Sequence, residues 1–157
     1  MIRIVPLAET PESLPVLVRW FIEEWAPYYG TGGPGDAERD LTECCNRDTL
    51  PIALVALDAD GYAVGTAALK RESVGGDPGQ TPWLAAFLVG VAHRGQGIGT
   101  LLVAAIEKEA RRLGFTAVYT STDAAEGIVK KRGWEPLAQA TSLRGPITIY
   151  KLELARA

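Results

Sequence analysis

Between an unbroken apolar run, Trp83–Val89, and a stretch with helical apolar spacing (Ile98, Leu101, Leu102, Ala105, Ile106, Leu113) lies the segment Gly90-Val91-Ala92-His93-Arg94-Gly95-Gln96-Gly97-Ile98-Gly99-Thr100. The run reads as a strand buried on both faces. The stretch reads as a long amphipathic helix closed by Gly114. A helix leaves its first amides without intrahelical partners, and its dipole puts about half a positive charge there. Glycines around that end let an anion come close, and phosphate is the natural guest. Arg94 adds a fixed cation. Two familiar phosphate loops are excluded. The dinucleotide fingerprint fails because Thr100 stands where its third glycine belongs, and no Gly-Lys-Ser/Thr completes a P-loop.

The remaining punctuation predicts a mixed α/β chain of order β-α-α-β-β-β-α-β-α-β-β. Met1–Leu7 reads as a strand. Leu14, Leu17, Val18, Phe21, Ile22 and Trp25 form one helix face, which Pro27 is expected to end. The stretch from Tyr28 to Asp36 reads as a loop, after which Asp36 or a neighbour opens a helix running to about Arg47. Leu50–Leu57 and Tyr62–Leu69 form a hairpin with Gly61 at a positive-φ position. A Gly/Pro-rich loop, Arg71–Pro82, precedes the buried run. Phe115–Ser121 reads as a strand, and Asp123 with Glu126 as a capping box. A short helix stops at Gly133. Two strands, Trp134–Leu143 and Ile147–Leu154, flank the turn Arg144-Gly145-Pro146.

Composition narrows the function. The chain has 157 residues, 47% hydrophobic and 22% charged, as one globular domain spanning 1–157 would. A net charge of -3 gives the wrong field for a general nucleic-acid surface. Adjacent Cys44 and Cys45 make neither a disulfide framework nor a zinc spacing. A single histidine, His93, argues against a metal site and against a Ser/His/Asp or Cys/His hydrolase. The N-terminus has no signal-peptide pattern, and no stretch is long and apolar enough for a membrane span. A soluble, cytoplasmic setting is expected.

The pattern Arg94-x-x-Gly97-x-Gly99 between strand and helix resembles the pyrophosphate loop of the GNAT superfamily of N-acetyltransferases. The resemblance covers Pro82–Leu154, and the element order of the whole chain is similar. It implies a mainly antiparallel sheet flanked by helices, acetyl-CoA as co-substrate, no metal, and a primary amine as acceptor, most simply on a small molecule. Leu88, Val89, Gly90 and Val91 are then implied to meet the pantetheine arm through backbone, with Val91 where the family usually has Pro. The implied pyrophosphate site is Arg94, Gly95, Gln96, Gly97, Ile98, Gly99 and Thr100, and Thr122 is a further implied cofactor-binding residue. The strands Trp83–Val89 and Phe115–Ser121 are implied to splay around the thioester. A homodimer through the C-terminal strand pair is a further possibility.

One position departs from the family. Ile128-Val129-Lys130-Lys131-Arg132-Gly133-Trp134 aligns with a segment whose tyrosine protonates the departing thiolate, and that position is Val129. Three readings stay open. Another hydroxyl (Tyr119, Ser121, Thr122 or Tyr150) could act. Water could protonate a thiolate of ordinary pKa near ~8.5. Or the protein could bind CoA without efficient turnover, as a sensor or partner module. Ala85 and Ala86 also leave room for a longer acyl-CoA. Backbone N–H groups near Val89 are candidates for the oxyanion. Tyr28, Tyr29 and Trp83 are the expected acceptor-pocket residues, and Glu23, Glu24 and Asp36 would suit a cationic acceptor. Lys130, Lys131 and Arg132 could touch the 3′-phosphate of CoA, or simply complement the helix dipole.

Overall fold

A computed structural model describes residues 1–73, 76, 79–142 and 145–154. Val74, Gly75, Asp77 and Pro78 of the expected Gly/Pro-rich loop, and Leu143 and Arg144 of the expected C-terminal turn, lie outside the described residues.

The elements run β1 (Arg3–Pro6), α1 (Leu14–Glu24), α2 (Ala26–Tyr29), α3 (Ala37–Glu43), β2 (Ile52–Leu57), β3 (Ala63–Lys70), β4 (Trp83–Val89), α4 (Ile98–Arg112), β5 (Ala117–Thr120), α5 (Glu126–Lys131), β6 (Glu135–Ser142) and β7 (Gly145–Glu153). Seven strands form one sheet of order β1-β2-β3-β4-β5-β7-β6. Every pairing is antiparallel except β4–β5. On one face Leu54, Val64, Leu84 and Val118 pack against Leu102, Ile106 and Val129 of α4 and α5. On the other face Val55 and Leu57 pack against Leu17, Phe21 and Leu41 of α1 and α3. Helices on both faces explain why β2 and β3 are buried almost throughout rather than alternating.

Several local expectations are corrected. Pro27 does not end α1, which already breaks at Trp25 (φ -119°, ψ 47°). Pro27 sits in the first turn of α2, where its missing N–H is no loss. Tyr28 and Tyr29 are therefore helical rather than part of the loop. The Asp36 carboxylate caps α3 by accepting from the Arg39 N–H at 3.0 Å. That helix stops at Glu43, short of Arg47, because the Asn46 side chain donates to the Glu43 carbonyl (2.7 Å) and ties it to the Pro51 carbonyl (2.8 Å). The capping box is absent: a 3-10 turn, Asp123–Ala125, leads into α5 without a side-chain cap. Glu126 instead accepts from the Tyr150 hydroxyl at 2.9 Å. Gly61 has the expected positive φ, +87°.

Two irregularities in β4 shape the centre of the molecule. Thr66 faces Leu88 while Ala68 faces Ala85, so β4 carries one residue more than β3 between these rungs. Ala86 lies in that bulge with φ +50°. Towards β5, β4 is paired only at Trp83↔Tyr119 and Leu84↔Thr120. The Thr120 hydroxyl donates to the Leu84 carbonyl at 2.9 Å. Past that rung the β4 segment through Val89 has no β5 partner.

Candidate active site

The opening between β4 and β5 leads to the N-terminus of α4. Its N-cap residue, Gly97, is left-handed (φ +82°) and no side chain caps the helix. The first intrahelical bond is Leu101 N–H to Gly97 C=O, at 3.2 Å. The amides of Ile98, Gly99 and Thr100 thus lack acceptors within the helix. Nothing lies within 4 Å of where a Cβ on Gly97 would stand, so the loop is open above those amides. Gly99 is different: a Cβ there would come within 2.8 Å of Ile128 Cδ1 and 2.9 Å of Phe87 Cζ. Glycine at 99 is what lets β4, α4 and α5 meet at one point.

A cavity of about 420 Å³ occupies this opening, with Phe87, Leu88, Ile128 and Ala124 as apolar wall and Gly95, Gly97, Gly99 and Thr100 as rim. A second hollow, of about 330 Å³, lies on the α1 side, between Trp20, Glu23 and the Leu88–Arg94 segment. Leu88, Val89, Arg94 and Glu24 line both. Arg94 Nε donates to the Val89 carbonyl at 3.0 Å, and its Nη2 stands 3.4 Å from Glu24 Oε2. One hollow is therefore a polar-rimmed, apolar-walled slot ending at a free helix N-terminus. Its neighbour carries Glu23, Glu24, His93 and Arg94. The two touch at the unpaired end of β4.

Of the residues singled out in the sequence, Leu88, Val89, Arg94, Gly95, Gly97, Gly99 and Thr100 line the first cavity. Gly90 and Val91 line the second instead. The Gly90 N–H is held by the Val64 carbonyl at 2.9 Å, and its own carbonyl accepts from the His93 N–H at 2.8 Å. Gln96 is exposed on the loop, and the Ile98 side chain is buried in the core; neither residue lines either hollow. The Thr122 N–H donates to Thr120 Oγ1 at 3.2 Å, and the residue lines neither hollow.

The expected acceptor residues are placed elsewhere. Trp83 is fully buried, donates its indole N–H to the Gln80 carbonyl at 2.6 Å, and stacks on Tyr119 at 5.3 Å between centroids. Tyr29 donates to Asp40 Oδ2 at 2.8 Å; burial first, then that carboxylate, pushes its phenol well above its ordinary value. Tyr28 packs edge-on against Tyr29. None of the three lines either hollow. Among the substitute acids, Tyr150 gives its hydroxyl to Glu126, and burial and that carboxylate raise its pKa. Val129, at the family's tyrosine position, is wholly buried. Ile128 of α5 and Ala124 of the 3-10 turn before it line the cavity instead.

Sequence reasoning missed a part-buried ion pair that joins α4 to the end of α5. The Glu107 carboxylate accepts from Arg132 Nε (2.8 Å) and Nη2 (2.9 Å), and from the Trp134 indole at 3.0 Å. Burial alone would raise the Glu107 pKa, but the hydrogen bonds and charge of Arg132 and Trp134 outweigh it and the net shift is downward. Arg132 is thereby committed to joining α5 to α4, while Lys130 and Lys131 are exposed. Among the described residues no cluster of His, Cys, Asp and Glu could hold a metal ion.

The family model for the GNAT acetyltransferases matches residues 16–134, most of the chain. The chain belongs to the GNAT family. No curated protein matches this GNAT chain in sequence. Solved structures do match it in fold. An aminoglycoside 6′-N-acetyltransferase complexed with coenzyme A superposes with a TM-score of 0.77 at 18% identity, covering 99% of this chain and 98% of that one. The aminoglycoside 6′-N-acetyltransferase from Enterococcus faecium gives 0.74 at 18% identity, covering 100% and 98%. The yncA protein of Salmonella typhimurium, solved with its cofactor acetyl-CoA, gives 0.70 at 21% identity, covering 100% and 95%. At these identities the likeness is one of fold. Among the described residues, no helix of this GNAT chain is long and apolar enough to cross a membrane.

Proposed function

We propose that this chain, acting as one domain, moves an acetyl group from acetyl-CoA to a primary amine on a small molecule, by direct attack in a ternary complex. The observation that carries this reading is the cavity at the unpaired end of β4, which is rimmed by Gly97, Gly99 and Thr100 at the uncapped N-terminus of α4. The amides of that N-terminus and Arg94 suit a pyrophosphate. The apolar wall of Leu88, Ala124 and Ile128 suits the pantetheine arm, and the open β4 backbone suits a chain of amides lying along it. The adjoining hollow supports an amine reaching the thioester from the opposite face of the sheet. The solved relatives named as aminoglycoside acetyltransferases support a polycationic small molecule as the first acceptor class to try.

Catalysis would come mainly from alignment and from amide donors near the β4 bulge facing the developing oxyanion. With Val129 buried, the thiolate takes its proton from water. The test is thiol release from acetyl-CoA with a panel of amines, with mass spectrometry of the acceptor. Amine-dependent release with an added acetyl group supports the reading; its absence overturns it. The burial of Val129 favours one second reading, a GNAT fold that binds CoA without turnover. It predicts CoA binding with no amine-dependent thiol release.

A further inference from the structure

The two hollows share one carboxylate. Among the described residues lining either of them, the ionisable side chains are Glu23, Glu24, His93 and Arg94, and of the two acids only Glu24 lines both. Glu24 is the last residue of α1, whose final turn holds no basic residue. Helix C-terminal carbonyls carry partial negative charge, so a carboxylate there adds to an already negative spot. Glu23 has its own partner, Arg19, at 3.8 Å one turn back on the same helix. Among the described residues Glu24 is paired only with Arg94, seventy residues away in sequence, at 3.4 Å with both side chains about half exposed. Arg94 is also the cation beside the phosphate-binding rim.

We propose that Glu24 binds the ammonium group of the acceptor and takes its proton, and that Arg94 is its counter-ion only until a phosphate-bearing substrate draws Arg94 to the α4 loop. The inference rests on the transfer reading above and names the residue that performs its first step. The ammonium gives one proton to the Glu24 carboxylate. The freed nitrogen lone pair attacks the thioester carbonyl carbon and the C–N bond forms. The C–S bond breaks with its electron pair left on sulfur. The nitrogen sheds a second proton as the amide forms, and through water that proton reaches the thiolate. Glu24, half exposed, returns the first proton to solvent. An ammonium and a thioester thus become an amide, a thiol and one released proton.

The test is Glu24→Gln, which keeps shape and removes charge and basicity, with Glu24→Asp beside it. Acceptors are spermidine, kanamycin and benzylamine, with acetyl-CoA as donor. For the best acceptor of the wild type, kcat/KM should fall by about 100-fold or more in Glu24→Gln, the usual scale of a lost general base, and recover in part in Glu24→Asp. Thermal stability should hold, since a half-exposed ion pair contributes little. Calorimetry with CoA alone gives a readout independent of turnover. Glu24→Gln should bind CoA more tightly than the wild type, by about two- to fivefold, because Arg94 is released and a negative charge near the phosphates is gone. Turnover of Glu24→Gln within threefold of wild type, or weaker CoA binding in that variant, overturns the inference while leaving the transfer reading standing. A wild type that binds CoA but acetylates none of the three amines overturns both.

Discussion

Replacing Gly97 with Asp separates the phosphate binding proposed for the Arg94–Thr100 loop from the loop's role in the fold. Gly97 has φ +82°, and an L-residue in that region costs about 1–2 kcal/mol. A carboxylate at a helix N-terminus returns about 0.3–1 kcal/mol through the dipole. The added Cβ meets nothing within 4 Å. The net stability change is therefore about 1 kcal/mol, a fall in Tm of about 2–4 °C for a domain of this size. Binding should suffer more. Two unit charges about 5 Å apart repel by about 3 kcal/mol at an effective dielectric of about 20. Exposure and salt reduce this to about 1–2 kcal/mol, a loss of about 5–30-fold in the Kd for CoA. Gly97→Ala carries the same backbone strain without the charge and should weaken CoA by less than about threefold. The assay is calorimetric titration of the three proteins with CoA, with melting curves on the same samples. A folded Gly97→Asp that binds CoA within threefold of wild type would refute the assignment of the phosphates to this loop.

Other consequences follow from the same geometry. Glu107→Gln should destabilise the fold by about 1–2 kcal/mol in a denaturant titration, since it weakens the charge-assisted bonds that Arg132 and Trp134 give the buried carboxylate. Because the Glu107 pKa is lowered on folding, its contribution is fully present above the unfolded carboxylate value of about 4.3 and fades as pH falls through the lower folded value. Wild type and Glu107→Gln should therefore converge in stability in acid and diverge near neutral pH. Tyr29→Phe removes the 2.8 Å bond to Asp40 and should cost about 1 kcal/mol in the same titration. Val129→Tyr should lower Tm and leave kcat no higher, because a ring forced into a fully buried site overpacks the core by about 1–3 kcal/mol.

The features legible in the sequence were those written in contiguous residues. The passage from the buried run Trp83–Val89 through glycines to α4 carries its shape in one segment, and the proposed phosphate chemistry rests on that same segment. The Asp58–Gly61 hairpin and the Asp36 cap of α3 are equally local. Features made by distant residues were not legible. Glu24 and Arg94 meet across seventy positions, and Arg132 reaches Glu107 in another helix. Each residue alone reads as a solvated charge. The β4 bulge at Ala86 left no signal, because alanine in an apolar run fits a regular strand equally well. Pro27 is ambiguous in the sequence for a related reason. Proline breaks a helix interior but suits a first turn, and only the break at Trp25 decides which applies. Tyr28, Tyr29 and Trp83 are aromatics beside loops in the sequence, yet burial and hydrogen bonds to Asp40 and Gln80 engage Tyr29 and Trp83 in packing.

A crystal structure of the wild-type protein with acetyl-CoA tests the central claim most directly. The account predicts the pyrophosphate on the amides of Ile98, Gly99 and Thr100, the pantetheine arm along β4 beyond Leu84, and the acetyl group where the two hollows meet beside Val89. Acetyl-CoA seated elsewhere, or a pyrophosphate making no contact with the N-terminus of α4, would contradict it.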